Sequence, residues 1–236
     1  MYSPHPIRAQ EFRDRVLNRG RPPISDLIPA ELYPRIPISN RIEHARRLVR
    51  YKGLANDFIQ NISAYPAGRF QGRGIVTAAG GAAYYTCAYV MIRMLRKLGC
   101  SLPVELWHLG PYELDDRMRA IMESGELGDV RCVDAYQVRK EHPCRILNGW
   151  ELNPYSMLHS RFKEVLFLDA DNVPVVNPEF LFKTKEYADT GAIFWPDYKN
   201  MDLGPSHPIW AATGAKPHGG RSFESGQMLV DKERGW

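Results

Sequence analysis

Val165-Leu166-Phe167-Leu168-Asp169-Ala170-Asp171-Asn172 joins an uninterrupted apolar run to two carboxylates separated by a single residue. Four consecutive apolar side chains between polar neighbours are typical of a strand that is buried on both faces of a parallel sheet. Sheets of this kind bind ligands beyond the carboxyl ends of their strands. The sequence therefore predicts that Asp169 and Asp171 lie at the binding edge of an α/β sheet.

The Asp-Ala-Asp motif predicts metal-assisted chemistry on a phosphorylated substrate. Carboxylate oxygens are hard ligands that suit Mn²⁺ or Mg²⁺, and such a cation would neutralise a diphosphate. We expect Asp171 to coordinate the metal directly. Asp169 is expected to bind it directly or through water, or to accept hydrogen bonds from ribose hydroxyls. The same motif also occurs in solvated turns and helix caps, so the preceding strand is what favours a site.

Two classes of enzyme place such a motif after a hydrophobic strand. One is the nucleotide-sugar glycosyltransferase of the GT-A type, in which the pair holds a divalent cation on the donor diphosphate. The other is the phosphatase of the haloacid dehalogenase type, in which Asp169 would be the nucleophile. That phosphatase normally carries its nucleophilic strand near the start of its domain, whereas about three strand units precede Asp169 in this chain. The transferase is therefore the favoured reading.

Length and composition fit a single catalytic domain. The chain has 236 residues, of which 44% are hydrophobic and 25% charged, as is ordinary for a soluble globular protein. We divide it into a Pro- and Arg-rich extension or stem, residues 1–70, and a catalytic domain, residues 71–236, whose C-terminal part is predicted to be truncated. The net charge of +4 comes from scattered basic residues, which argues against a nucleic-acid partner. No apolar run reaches the roughly 18 to 20 residues of a membrane-spanning helix, so membrane contact is expected only through an anchor absent from this chain.

Apolar segments alternate with segments of helical spacing from Gly72 onward. Strands are predicted at 74–79, 104–108, 130–133, 165–168, 192–195 and 225–230, and helices at 84–98, 113–124 and 151–159. Such alternation is typical of an α/β fold with a mainly parallel sheet flanked by helices, and the Rossmann-like GT-A fold is of this class.

Residues at the ends of two predicted strands are candidates for binding the donor. Ala79, Gly80 and Gly81 follow the first strand, where small residues would let a nucleotide approach the backbone closely. A plain strand-to-helix turn explains the two glycines equally well. Trp195 and Asp197 end another strand at the same edge, and an aromatic ring beside a carboxylate suits a sugar face and a hydroxyl. Core packing of Trp195 is a comparable alternative.

Glu224 and Gln227 open the last predicted strand, where polar side chains are unusual unless they face a cavity. We predict that both position the transferred sugar, while the Asp-Ala-Asp motif serves the diphosphate. Together with Asp171 they make up the predicted catalytic group. Loop polarity is the alternative explanation for them. His207 and His218 could add to the metal shell, although isolated loop histidines are more often solvated.

Several blocks of sequence, taken in order, resemble one family. They are Gly-Arg-Gly-Ile-Val at 72–76, Leu-Pro-Val-Glu-Leu-Trp-His at 102–108, Gly-Trp-Glu-Leu at 149–152, Glu-Val-Leu-Phe-Leu-Asp-Ala-Asp-Asn-Val-Pro-Val at 164–175, Gly-Ala-Ile-Phe-Trp-Pro-Asp at 191–197 and Phe-Glu-Ser-Gly-Gln at 223–227. Jointly they are similar to the fungal-type α-mannosyltransferase family, which includes the Golgi α-1,2- and α-1,3-mannosyltransferases. The resemblance covers about Gly72 to Trp236.

The resemblance implies a GT-A fold, GDP-mannose or another nucleotide sugar as donor, Mn²⁺ or Mg²⁺ as cofactor, and retention at the anomeric carbon. It also implies a glycan or glycoprotein acceptor. The expected location is the lumenal side of the Golgi membrane for a eukaryotic protein with an anchor, and the cytoplasm otherwise. Asn153 departs from the pattern, because many relatives have Lys there and a basic residue that could face the donor phosphates is missing. This departure keeps open a catalytically silent module that binds a sugar nucleotide or a glycan.

Overall fold

The computed structural model describes residues 50, 53–54, 56–58, 60–145, 147–200 and 221–236, with the backbone alone at 198–200 and 221–222. In chain order its elements are β1 (Arg73–Ala78), α1 (Gly81–Lys97), β2 (Val104–His108), α2 (Asp116–Met122), β3 (Val130–Asp134), α3 (Ala135–Glu141), α4 (Leu152–His159), β4 (Glu164–Leu168), a 3₁₀ helix (Pro178–Lys183), α5 (Lys185–Thr190), β5 (Ala192–Asn200), β6 (Arg221–Asp231) and α6 (Lys232–Gly235). The predicted α/β fold, a sheet flanked by helices, is confirmed.

The strands form one six-stranded sheet in the order β3-β2-β1-β4-β6-β5. Strands β1 to β4 run parallel to one another, as predicted, whereas β6 runs antiparallel to both β4 and β5. After β1 the chain builds β2 and β3 on one side, and it then returns to place β4 on the other side. This reversal creates a crevice at the carboxyl ends of β1 and β4, where ligands bind in open α/β sheets.

Alternate strand residues contribute to two hydrophobic core clusters, because successive side chains point to opposite faces of a sheet. One cluster joins Ile75, Leu106 and Leu166 to Met91 and Leu95 of α1. The other joins Val76, Trp107 and Phe167 to Leu152 and Tyr155 of α4. All four residues from Val165 to Leu168 are buried, so β4 is covered on both faces as its apolar run predicts. The helices on both sides thereby fix the position of the strand end that carries Asp169.

Two short helices were not predicted from the sequence. They are α3 and α5, and each begins at a side-chain cap. Asp134 accepts a hydrogen bond from the backbone N–H of Tyr136, and Thr184 accepts one from that of Tyr187. Helices of six or seven residues are too short to show a helical period in the sequence, so the caps are their main signal.

The residues just before β1 pack on the end of the described chain. The rings of Tyr65 and Trp236 lie 5.6 Å apart, centroid to centroid, and those of Phe70 and Trp236 lie 6.0 Å apart. The Trp236 indole N–H also donates to the carbonyl of Ser63 at 2.7 Å. Ser63, Tyr65 and Phe70 of the predicted extension therefore contact the last residue of the predicted catalytic domain, and the boundary at residue 70 stays a prediction. Among the helices that the structure describes, none combines the length and the apolar character needed to cross a membrane.

Candidate functional site

A cavity of about 370 Å³ opens at the carboxyl ends of β1, β2 and β4. Its walls come from the end of β1, the loop after β2, the start of α4 with the loop before it, and the end of β4. The lining residues are Ala78, Ala79, Gly80, Tyr84, Leu109, Glu113, Asn148, Gly149, Trp150, Leu152, Asn153, Asp169, Ala170 and Asp171. The cavity thus lies at the topological switch point and contains both carboxylates of the Asp-Ala-Asp motif.

Carboxylates concentrate at the end of β4. Asp169 is half-buried and Asp171 is exposed at the cavity wall. The pKa of Asp169 is raised, first by burial and then by the negative charges of Asp171 and Glu224. The amide of Asn153 opposes this effect, because its Nδ2 donates to Asp169 Oδ1 at 3.3 Å. The group therefore carries negative charge that a neutral amide compensates only in part.

Gly226 brings strand β6 into contact with this group. The backbone N–H of Asp169 donates to the carbonyl of Gly226 at 2.8 Å, and the N–H of Gly226 donates to Glu224 Oε1 at 2.8 Å. A Cβ atom at Gly226 would lie only 2.9 Å from Asp169 Oδ2 and 3.1 Å from Glu224 Oε1. The carboxylates of Asp169 and Glu224 can approach each other because this position has no side chain.

The donor set fits a divalent cation that is shared with a phosphorylated substrate. Within the described ranges, no three His, Cys, Asp or Glu side chains are assembled as a complete metal-binding group. Mg²⁺ is usually held by one or two carboxylates together with substrate phosphates, and Asp169 and Asp171 supply that number. Burial raises the pKa of Asp169 most, and the repulsion from Asp171 and Glu224 that raises it further is what a cation would relieve. His207 and His218 lie outside the described residues.

The small residues predicted to approach the nucleotide lie where expected. Ala79 and Gly80 line the cavity, and the N–H of Ala79 donates to the carbonyl of Trp107 at 2.9 Å. Gly81 begins α1, and its N–H donates to the carbonyl of Glu113 at 2.8 Å. These three residues therefore form a strand-to-helix turn, of which Ala79 and Gly80 also line the cavity.

Glu224 and Gln227 both lie on β6, on either side of Gly226. The negative charge of Glu224 acts on Asp169, and Gln227 pairs across the sheet with Leu168, the residue before Asp169. Strict alternation of side chains does not hold here, because the register between β5 and β6 is irregular: Phe194 pairs with Met228, and Pro196 with Phe223. The role of these two residues in positioning the sugar stays a prediction.

Trp195, the aromatic residue predicted to contact the sugar, packs on the core. It is partly buried against the cluster that contains Leu166 and Leu229. Neither Trp195 nor Asp197 is among the residues that line the cavity. The packing agrees with the core alternative for Trp195, and a contact of either residue with the donor stays a prediction.

Sequence reasoning missed three polar or aromatic residues of the cavity wall. Glu113, Asn148 and Trp150 all line it, and Trp150 is 79% exposed. The available signal was their place in loops that follow a strand or precede α4, close to the carboxyl edge of the sheet. Asn153 was noted only as a missing basic residue, yet its side chain contacts Asp169 directly.

Solved glycosyltransferase structures are similar to this chain. The crystal structure of the galactosyltransferase LgtC in complex with donor and acceptor sugar analogs aligns with a TM-score of 0.45 and 15% identity, over 68% of this chain and 58% of that chain. The apo form of the glycosyltransferase GlyE from Streptococcus pneumoniae aligns with a TM-score of 0.42 and 15% identity, over 69% of this chain and 34% of that chain.

Three α-1,2-mannosyltransferases illustrate the sequence similarity. MNN21 of Candida albicans is 33% identical over 151 residues, which are 59% of this chain and 22% of that protein. MNN2 of Saccharomyces cerevisiae is 26% identical over 158 residues, or 65% of this chain and 26% of that protein. MNN23 of Candida albicans is 24% identical over 204 residues, or 85% of this chain and 32% of that protein. The matched segments thus span about a fifth to a third of these relatives.

The family itself is identified by a match to a family model. The sequence model of the mannosyltransferase family Mannosyl_trans3 matches residues 72–218, which include β1, the Asp-Ala-Asp motif and β5. This range is more than half of the 236-residue chain. The resemblance inferred from the sequence blocks is confirmed, and the chain belongs to this mannosyltransferase family.

Proposed function

We propose that this chain transfers mannose from GDP-mannose to a glycan acceptor, with Mn²⁺ or Mg²⁺ as cofactor and with retention at the anomeric carbon. The observation that carries the proposal is the carboxylate group of Asp169, Asp171 and Glu224 at the switch-point cavity. The donor, the stereochemistry and the acceptor class follow from the family resemblance. The compartment that we propose with this acceptor is the Golgi lumen.

In this proposal, different residues bind the metal ion, the transferred sugar and the nucleotide. A bound divalent cation would act as a Lewis acid and stabilise the negative charge that develops on the leaving diphosphate. Asp171 and Asp169 hold the cation, and the Asn153 amide orients Asp169 through its hydrogen bond to Oδ1. Glu224 accepts hydrogen bonds from hydroxyls of the transferred sugar. Backbone around Gly80 lets the nucleotide lie close to the end of β1.

Of the two alternatives that the sequence left open, the phosphatase and the silent binding module, only the second remains. The phosphatase that would use Asp169 as nucleophile is set aside, because the chain belongs to a mannosyltransferase family. A catalytically silent module that binds a sugar nucleotide or a glycan shares the same cavity. It differs from an enzyme only in the absence of transfer, so the deciding measurement must record binding and turnover together.

A donor screen tests the proposal. We expect GDP-mannose to bind in the presence of Mn²⁺ more tightly than UDP-hexoses, and binding to fall at least about tenfold in EDTA, because the diphosphate and the carboxylates repel each other without a cation. Calorimetry measures binding, and mannose incorporation into mannan oligosaccharides measures transfer. Equal binding in EDTA would contradict the metal role. Tight binding with neither transfer nor donor hydrolysis would identify the silent module.

The pH dependence of metal binding tests the role of Asn153. The Asn153 hydrogen bond lowers the pKa of Asp169, so its loss in Asn153→Ala raises that pKa further above the ordinary value. Because the cation needs the ionised carboxylate, Mn²⁺ binding is retained at high pH and lost as the pH falls through the pKa of Asp169. The variant should lose binding at a higher pH than the parent, with affinity about fivefold lower once the pH is below the pKa of Asp169 in both proteins, since one hydrogen bond contributes about 1 kcal/mol.

Isothermal titration with Mn²⁺ between pH 5 and 8 measures this shift. Asn61→Ala is the matched control, because it removes an exposed amide that donates to the carbonyl of Asp57 and does not line the cavity. Identical pH profiles for the parent and Asn153→Ala would rule out an influence of Asn153 on Asp169.

A further inference from the structure

Glu113 is a carboxylate held in place on the cavity wall by the backbone around it. Its Oε2 accepts a hydrogen bond from the N–H of Leu109 at 2.9 Å, and its own carbonyl accepts the N–H of Gly81 at 2.8 Å. These bonds tie the loop after β2 to the turn after β1. The side chain is therefore positioned before any ligand arrives.

The end of β1 is shaped to admit this carboxylate. A Cβ atom at Gly80 would lie 2.2 Å from Glu113 Oε2 and 2.8 Å from Glu113 Cβ, so any larger residue at position 80 would displace the side chain. The absence of a side chain at Gly80 thus has a local cause beyond the turn itself. It places an acceptor group against the backbone at one end of the cavity.

Glu113 and the Asp-Ala-Asp motif line the same cavity from different parts of the chain. Glu113 lies in the loop after β2, with its carboxylate against Gly80 at the end of β1, whereas Asp169 follows β4, the neighbour of β1 on its other side. A nucleotide whose diphosphate lies at Asp169 and Asp171 can therefore extend along this cavity past the end of β1 and bring its base to Glu113.

We infer that Glu113 reads the base of the donor and selects guanine, an inference that rests on the proposed function. A carboxylate is an acceptor with about four lone-pair positions, so a base can share it with the protein groups that hold it in place. Guanine presents two adjacent donors, N1–H and the 2-amino group, which match one carboxylate. Uracil presents a single N–H between two carbonyl oxygens, and those oxygens are repelled by the negative charge.

Tyr84 supplies a contrasting contact in the same cavity. It lies in the first turn of α1, lines the cavity and is 55% exposed. An aromatic ring in this position can stack on any base, because every base has a π face. Loss of the Tyr84 ring should weaken GDP and UDP alike, whereas loss of the Glu113 charge should act on guanine selectively.

The test compares GDP, IDP and UDP, each with Mn²⁺, on the full chain and on Glu113→Gln. The Gln oxygen can still accept the Leu109 N–H and so preserve the loop, while its amide group meets the guanine donors with donors of its own. We expect the parent to prefer GDP over IDP, which lacks the 2-amino group. Glu113→Gln should weaken GDP binding about 10- to 100-fold, because hydrogen bonds to charged groups contribute about 1.5–3 kcal/mol. The preference of GDP over IDP and UDP should disappear.

One control variant, Glu126→Gln, and one control nucleotide, 2′-deoxy-GDP, separate the possible failures. Glu126→Gln changes an exposed carboxylate outside the cavity and should leave all three affinities unchanged. If Glu113→Gln weakens GDP, IDP and UDP equally, or alters only the preference of GDP over 2′-deoxy-GDP, Glu113 serves the loop or the ribose and the inference is wrong. If the parent binds GDP with Mn²⁺ but Glu113→Gln keeps the same base preference, the inference also fails while the proposed function stands. If the parent binds no nucleotide, the proposed function fails and this inference with it.

Discussion

Replacing Asp171 by Asn is expected to weaken Mn²⁺-dependent binding of GDP by about 100-fold or more. The substitution keeps the size of the side chain but removes one of the two charges that face the diphosphate. Loss of an outer-shell partner of a metal site typically costs 10- to 100-fold, so loss of a direct ligand should cost at least the upper end of that range. Because Asp171 is exposed, the melting temperature should stay unchanged.

Calorimetry with GDP and Mn²⁺ measures this effect, and thermal unfolding checks the fold. Asp116→Asn is a suitable control, since Asp116 is an exposed carboxylate at the start of α2, outside the cavity. Nucleotide binding that survives in Asp171→Asn with unchanged dependence on Mn²⁺ would show that Asp171 is not a ligand.

Gly226→Ala is expected to reduce transfer by about tenfold while the protein remains folded. The added methyl group would lie 2.9 Å from Asp169 Oδ2 and 3.1 Å from Glu224 Oε1, so both carboxylates must give way by a few tenths of an ångström. Misplacement of a catalytic group by about 1 Å can lower a rate on the order of 10²-fold, so a smaller shift should cost correspondingly less. Gly226 is not among the glycines with positive φ, so alanine can adopt its backbone conformation.

The effect of Gly226→Ala should appear in metal-dependent GDP affinity and in turnover, but not in thermal unfolding. Gly235→Ala is the matched control, because its Cβ would make only an ordinary contact, 3.7 Å from a Val230 methyl carbon. A Gly226→Ala protein that keeps full GDP affinity and full rate would show that the contact between β6 and Asp169 has no part in the site. A large fall in melting temperature would instead assign the position to packing.

The parts of the fold that depend on local pattern were predictable from the sequence. The apolar run before Asp169 identified β4 and its burial, and the position of Gly99 identified the end of α1, since this glycine follows the helix with a φ of 80°. The direction of β6 was not predictable, because a buried apolar strand reads the same whether it pairs parallel or antiparallel. Its antiparallel insertion beside β4 is what brings Gly226 to Asp169.

Site residues that directly follow a strand could be predicted from the sequence. Residues that reach the site only through contacts between segments far apart in the sequence could not. The Asp-Ala-Asp motif is local, and its position at the cavity follows from β4 alone. Glu113 and Asn153 enter the site through the packing of separate loops and helices on the sheet, which no spacing in the sequence reveals.

The place of β6 in the sheet has a consequence for the newly made chain. It comes last among the strands that the structure describes, yet it lies between β4 and β5 and pairs with both. On a ribosome, the outer edge of β4 must therefore wait for residues 221–231 to be synthesised, and β5 has no place in the sheet before they arrive. An unpaired strand edge is a template for pairing with other chains. We therefore expect the nascent protein to be most prone to aggregation after β4 has been synthesised and before β6 has been.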